Sequence, residues 1–159
     1  MNLRAQWNTI FFSMVAAVPT YGIVIWIILD SATQRPEPPS MLRVLFPLLA
    51  ASLLTASCVW MMARSRAWAD RAPGGSSHLP TPQEFQVGAI VAMALAEASA
   101  VVGFVLFMLG GPPGDYTGYG AGTLAVLLGV ILPRANAYWN AWEEEQRRAG
   151  SGGIPAGTR

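Results

Sequence analysis

Apolar residues run along this chain in four long blocks, separated by polar stretches rich in proline and glycine. Residues 10–29 and 44–63 are twenty-residue blocks without a charge. Residues 85–110 form a longer block with one charge, Glu97, and residues 116–132 form a shorter, glycine-rich block with none. About 20 apolar residues cross the hydrocarbon core of a bilayer as a helix. A free backbone N–H or C=O finds no water there, so helices are predicted for all four blocks. A transmembrane barrel needs short strands that alternate in polarity, and these runs are continuous. The pattern predicts an all-α fold, an integral membrane four-helix bundle that occupies residues 1–149 as one domain, with the lipid bilayer as its solvent.

The connections contain helix breakers. Residues 30–43 include Pro36, Pro38 and Pro39, and residues 64–84 include Pro73, Gly74, Gly75, Pro80 and Pro82. GPPGD at residues 111–115 predicts a tight turn that folds the third and fourth helices into a hairpin. Thr81 followed three residues later by Glu84 has capping-box spacing and predicts the start of the third helix. YWNAWEEEQRR at residues 138–148 continues the fourth helix past Pro133 as a helical extension over about 134–148. Its glutamates stand three and four positions before Arg147 and Arg148, which favours ion pairs along one face. Residues 150–159 are glycine-rich and predict a disordered tail. The first block is too long for the apolar core of a signal peptide, and no A-x-A site follows it, so it is expected to remain as a spanning helix.

Composition narrows the function. Charged residues are 12 % of the 159, about half the ~25 % of soluble domains, which excludes an ordinary soluble enzyme and a disordered chain. A single cysteine, Cys58, and a single histidine, His78, exclude a disulfide framework and Cys- or His-based metal sites. A net charge of +1 gives no general attraction to polyanions, so no nucleic-acid partner is expected. No nucleophile–base set is visible, and no enzyme activity or cofactor is expected beyond a bound proton or sodium ion. Arginine without any lysine, beside abundant alanine, is the codon bias of a GC-rich bacterium.

Arginine also sets the orientation. With four spans, Arg4, Arg64, Arg66, Arg71, Arg134, Arg147, Arg148 and Arg159 share one side, against Arg35 and Arg43 on the other. The positive-inside rule then places both termini in the cytoplasm of a multi-pass protein of the bacterial inner (plasma) membrane. Trp7, Trp26, Trp60, Trp68, Trp139 and Trp142 fall near the predicted boundaries, as an aromatic belt would.

Glu97 carries the candidate chemistry. It stands twelve residues into the third block, roughly 18 Å along a helix and near the bilayer centre. An ionised side chain at that depth costs about 3 kcal/mol on insertion scales. Holding a proton, binding a cation or facing water avoids the cost. No intramembrane Arg, Lys or His is present to pair with it. Thr20 and Tyr21 of the first block, Ser52 and Thr55 of the second and Thr123 of the fourth lie at similar depth and are candidate hydrogen-bond partners. Pro19 predicts a kink in the first helix. Gly88, Ala92, Ala96, Ala100 and Gly103 recur every three or four residues, a strip that lets another helix approach closely. Gly118 and Gly122 are its expected counterparts on the fourth helix. A homo-oligomeric interface would use the same strip.

Residues 94–107, ALAEASAVVGFVLF, resemble the carboxylate helix of the proteolipid c subunit of rotary ATP synthases, in which an acid sits among small residues with glycine and apolar residues after it. The predicted hairpin over residues 44–110 is similar in topology to that subunit, and the length and four spans are similar to its duplicated vacuolar-type form. The resemblance implies Glu97 as a reversible proton or sodium site. The chain also resembles a loose class of small bacterial four-helix proteins, and more distantly the small multidrug exporters. The expected function is that of a small c-subunit-like membrane protein whose midplane carboxyl carries a proton or sodium, or holds helices together. Two other readings stay open. One is a structural or accessory subunit of a larger membrane complex, with other membrane subunits as partners. The other is a small dimeric cation or drug transporter.

Overall fold

The computed structural model describes residues 3–31, 39–69 and 79–151. His78, the prolines before Pro39 in the first connection and the predicted tail beyond Ser151 lie outside the described residues. The described chain is helical throughout, with α1 over Leu3–Ser31, α2 over Ser40–Ala69, α3 over Pro82–Met108, α4 over Pro113–Val126 and α5 over Leu132–Ser151. A π-helical turn, Leu127–Ile131, joins α4 to α5 into one rod. Four helices are long and apolar enough to cross a membrane, as a multi-pass membrane protein requires. They overrun the apolar blocks at most ends, because a backbone ladder continues into water until a cap or breaker stops it.

Those stops are chemical. At the start of α3 the Glu84 N–H donates to Thr81 Oγ1 at 3.3 Å and the Thr81 N–H donates to Glu84 Oε2 at 3.0 Å, which completes the capping box. At its end Gly110 takes φ 98°, a conformation that favours glycine. The Gly110 N–H then bonds the Phe107 carbonyl and the Gly111 N–H bonds the Leu106 carbonyl, a Schellman closure of the α3–α4 hairpin. Pro133 offers no N–H, and its ring conflicts with an α-helical carbonyl four residues back. The π turn removes the conflict. The Leu132 N–H reaches five residues back to Leu127, and the Arg134 guanidinium donates to the Val130 carbonyl at 3.2 Å. The helix therefore passes Pro133 without a break.

α3 is the hub and packs against α1, α2 and α4. Within its most apolar window 44 % of residues are buried, against 11 % for α1 and 17 % for α2. Gly88, Ala89, Ala92, Ala96, Ala100 and Gly103 are all buried. Because these side chains are small, neighbouring helices reach the α3 backbone itself. Ser57 donates to the Ala92 carbonyl at 2.7 Å, Trp60 Nε1 to the Gly88 carbonyl at 3.0 Å and Thr123 to the Ala96 carbonyl at 3.0 Å. Gly122 meets Leu54 of α2.

The start of α1, the start of α3 and the first turns of α5 meet at one end of the bundle. Phe85 stacks on Tyr138 at 3.9 Å and meets Trp7 and Trp139 edgewise or tilted. Tyr138 donates to the Pro80 carbonyl at 2.7 Å, and Arg4 pairs with Glu143 at 2.7 Å. Two sequence expectations are corrected here. Trp7 and Trp139 are buried in the core rather than exposed to lipid as a belt would be, because the aromatic end of α3 gives them rings to pack on. Gly118 is not a packing residue. It faces outward with nothing within 4 Å of where a side chain would begin.

The contrast between two glycines is testable. A Cβ at Gly103 would fall 2.9 Å from Tyr119 Cβ and Cγ, atoms close to the α4 backbone that cannot swing aside. Gly103→Ala is expected to destabilise the bundle by about 1–3 kcal/mol through overpacking. Gly118→Ala is expected to leave stability unchanged or raise it by up to ~1 kcal/mol through helix propensity. Unfolding curves of both variants in mixed micelles check the pair.

Candidate intramembrane carboxyl site

Glu97 follows Ala96 on α3 and is half-buried, on the side of the helix that meets α1. Tyr21 of α1 donates its hydroxyl to Glu97 Oε1 at 3.2 Å. The Tyr21 ring lies 5.7 Å from the ring of Phe104, two turns further along α3. The tyrosine thus lies along α3 with its apolar body on Phe104 and its polar tip on the carboxyl. Among the described residues Glu97 has no other hydrogen-bond partner and no ion pair. No group of three or more His, Cys, Asp or Glu side chains converges among the described residues.

α1 is held in register with α4 close by. Tyr116 donates its hydroxyl to the carbonyl of Val18, the residue before Pro19. Two glycines face this contact, at ordinary van der Waals distance for an added side-chain carbon. A Cβ at Gly22 would touch the Tyr116 ring at 3.5 Å, and one at Gly120 would touch Val18 at 3.4 Å. Two tyrosines, Tyr116 from α4 and Tyr21 of α1 itself, therefore anchor the segment of α1 around Pro19.

Of the five candidate partners at this depth, only Tyr21 reaches Glu97. Thr123 is buried beside it, but its hydroxyl bonds the Ala96 carbonyl. Thr20 and Ser52 are exposed and bond carbonyls of their own helices, those of Ala16 and Leu48. Thr55 is exposed on α2. These three were expected near Glu97 on depth, and they point outward because depth along a helix does not determine azimuth around it. Ser57, two residues from Thr55 and about 200° around the helix, faces α3 instead. Ser57, Trp60 and Tyr116 are the interhelical donors that depth counting misses. For Ser57 and Trp60 the signal is a polar side chain on a helix that packs against the small-residue helix α3, whereas Tyr116 reaches α1 instead. Ser99 is fully buried with its hydroxyl unpartnered.

Comparison with protein-family models, with curated proteins and with solved structures finds no match to this chain.

Removing the Tyr21 hydroxyl isolates the Glu97 bond. Tyr21→Phe is expected to lower stability by about 0.6 kcal/mol and by no more than ~1.7 kcal/mol, the range of interhelical hydrogen bonds in membranes. Thr20→Ala, one residue away, is expected to change nothing. A double-mutant cycle with Glu97→Gln, read by unfolding in mixed micelles, assigns any coupling to this pair.

Proposed function

We propose that this chain is an ion-carrying protein of the bacterial inner membrane, with both termini in the cytoplasm, in which Glu97 holds and releases a proton. The part-buried contact between Tyr21 of α1 and Glu97 of α3, with no ion pair to Glu97 among the described residues, carries this reading. A carboxylate accepts from a phenolic O–H, and a protonated carboxyl donates to the phenolic oxygen. Tyr21 therefore offers one hydrogen bond to either state of Glu97, so that losing the proton does not strand the group. An ionisable residue within a membrane bundle is a functional-site hypothesis by default. The proton fits better than sodium. A metal cation needs several oxygen ligands, and the Glu97 carboxyl and the Tyr21 hydroxyl are the two side-chain groups in bonding distance of one another. The small-residue helix around Glu97, similar to that of rotary proteolipids, supports the same reading.

A structural or accessory role is the second reading. It is favoured by the shallow seating of α1, which leaves Phe12, Ile23, Trp26 and Ile27 more than half exposed for lipid or for neighbouring subunits. In that reading the Tyr21–Glu97 bond is only a tie between helices.

Two experiments test these proposals. In proteoliposomes under an imposed pH gradient, the chain is expected to pass protons, Glu97→Asp to retain part of the flux and Glu97→Gln to lose it. Hydrophobic carbodiimide is expected to block the flux and to label Glu97. Equal flux with and without Glu97 leaves the structural reading. For orientation, a reporter fused after Arg159 is expected to report the cytoplasm, so fluorescent protein glows and alkaline phosphatase stays inactive. The reverse pattern overturns the inward placement of the termini.

A further inference from the structure

We propose that the groove between the start of α1 and the outer half of α5 binds the phosphodiester of one anionic phospholipid. This site is separate from Glu97 and does not depend on its role. The groove encloses about 350 Å³. Arg4 and Arg147 line it around Glu143, with Trp139 and Trp142 at its base. Leu3 and Gln146 complete the wall.

Charge is the first argument. Glu143 is taken by Arg4 at 2.7 Å, and Glu144 is taken by Arg148. Arg147 stands four residues after Glu143 and three after Glu144, so both of its helical partners are already engaged. It has no ion pair among the described residues. The groove lining therefore carries two arginines against one glutamate, a surplus of one positive charge. That surplus matches one phosphodiester, which an arginine recognises through charge-assisted hydrogen bonds.

Depth is the second. Phe85, the first residue of the third apolar block, stacks on Tyr138 at 3.9 Å. The edge of the hydrocarbon therefore falls near Tyr138 on α5. Trp142 is one turn beyond that level, and Arg4 is one turn beyond Trp7, which also packs on Phe85. One turn is about 5.4 Å, which lies within the headgroup layer that surrounds a ~30 Å hydrocarbon core. Arg147 starts further out, but helical side chains lean toward the helix N-terminus, which for α5 is toward the membrane. Its long stem brings the guanidinium back to the headgroups. Trp142 and Leu3 give an acyl chain an apolar place to rest, and the Gln146 amide adds a donor. A soluble anion would use only the arginines.

The test uses the full chain in micelles, with phosphatidylglycerol or phosphatidylcholine added at equal amounts and bound lipid counted by native mass spectrometry. One phosphatidylglycerol is expected to stay bound, with phosphatidylcholine retained at least about fivefold less, as one charge-assisted contact implies. Arg147→Gln is expected to remove that preference. Arg148→Gln, which changes an arginine paired to Glu144 outside the groove, is expected to keep it. Equal retention of the two lipids overturns the proposal, as does an Arg147→Gln variant that binds phosphatidylglycerol like the parent. Excess glycerol phosphate is expected to leave the lipid bound. Its displacement would assign the groove to a soluble phosphate and overturn the lipid source. Arg147 is exposed, so loss of fold does not confound the variant, and unchanged helical circular dichroism verifies this.

Discussion

Small side chains on α3 let its neighbours touch its backbone, and the bundle is built on that contact. In hydrocarbon there is no water to drive apolar helices together, so close packing and interhelical hydrogen bonds must do it. Gly88, Ala92 and Ala96 present carbonyls that Trp60, Ser57 and Thr123 reach from the two helices on either side. The donors are satisfied without a polar side chain on α3. Gly103 extends the same logic, since the Tyr119 ring occupies the space a side chain would take.

Against that background Glu97 is the exception. It is the one acidic side chain in the apolar part of the hub helix, and it meets a side chain rather than a backbone. α1, the least buried of the spans, makes this contact. Its position is set by Tyr116 holding the Val18 carbonyl and by Tyr21 lying between Glu97 and Phe104. The helix that is least anchored by packing thus holds the partner of the group with the most chemistry.

Much of this was legible in the residues. The four spans, the Thr81–Glu84 cap and the glycine turn after α3 each follow from local chemistry, and depth narrows the partners of Glu97 to five candidates, Tyr21 among them. What depth cannot supply is azimuth. Ser52 and Thr55 stand at the right height and face outward, whereas Ser57, slightly offset, faces α3. Gly103 and Gly118 look equivalent as letters, yet one is crowded by a tyrosine ring and the other is bare. Trp7 and Trp139 read as boundary residues and are core, because Phe85 brings an aromatic cluster to that end. The passage of the helix past Pro133 is legible, but the π turn that absorbs the proline is a backbone adjustment with no distinctive residue pattern.

The central claim is that Glu97 exchanges a proton while bonded to Tyr21. Infrared spectroscopy of the full chain in bilayers, scanned across pH, reads this directly through the C=O stretch of a protonated carboxyl. A band that disappears in Glu97→Gln and shifts in frequency in Tyr21→Phe is the predicted result. A band absent at every pH, or one indifferent to the loss of the Tyr21 hydroxyl, would contradict it.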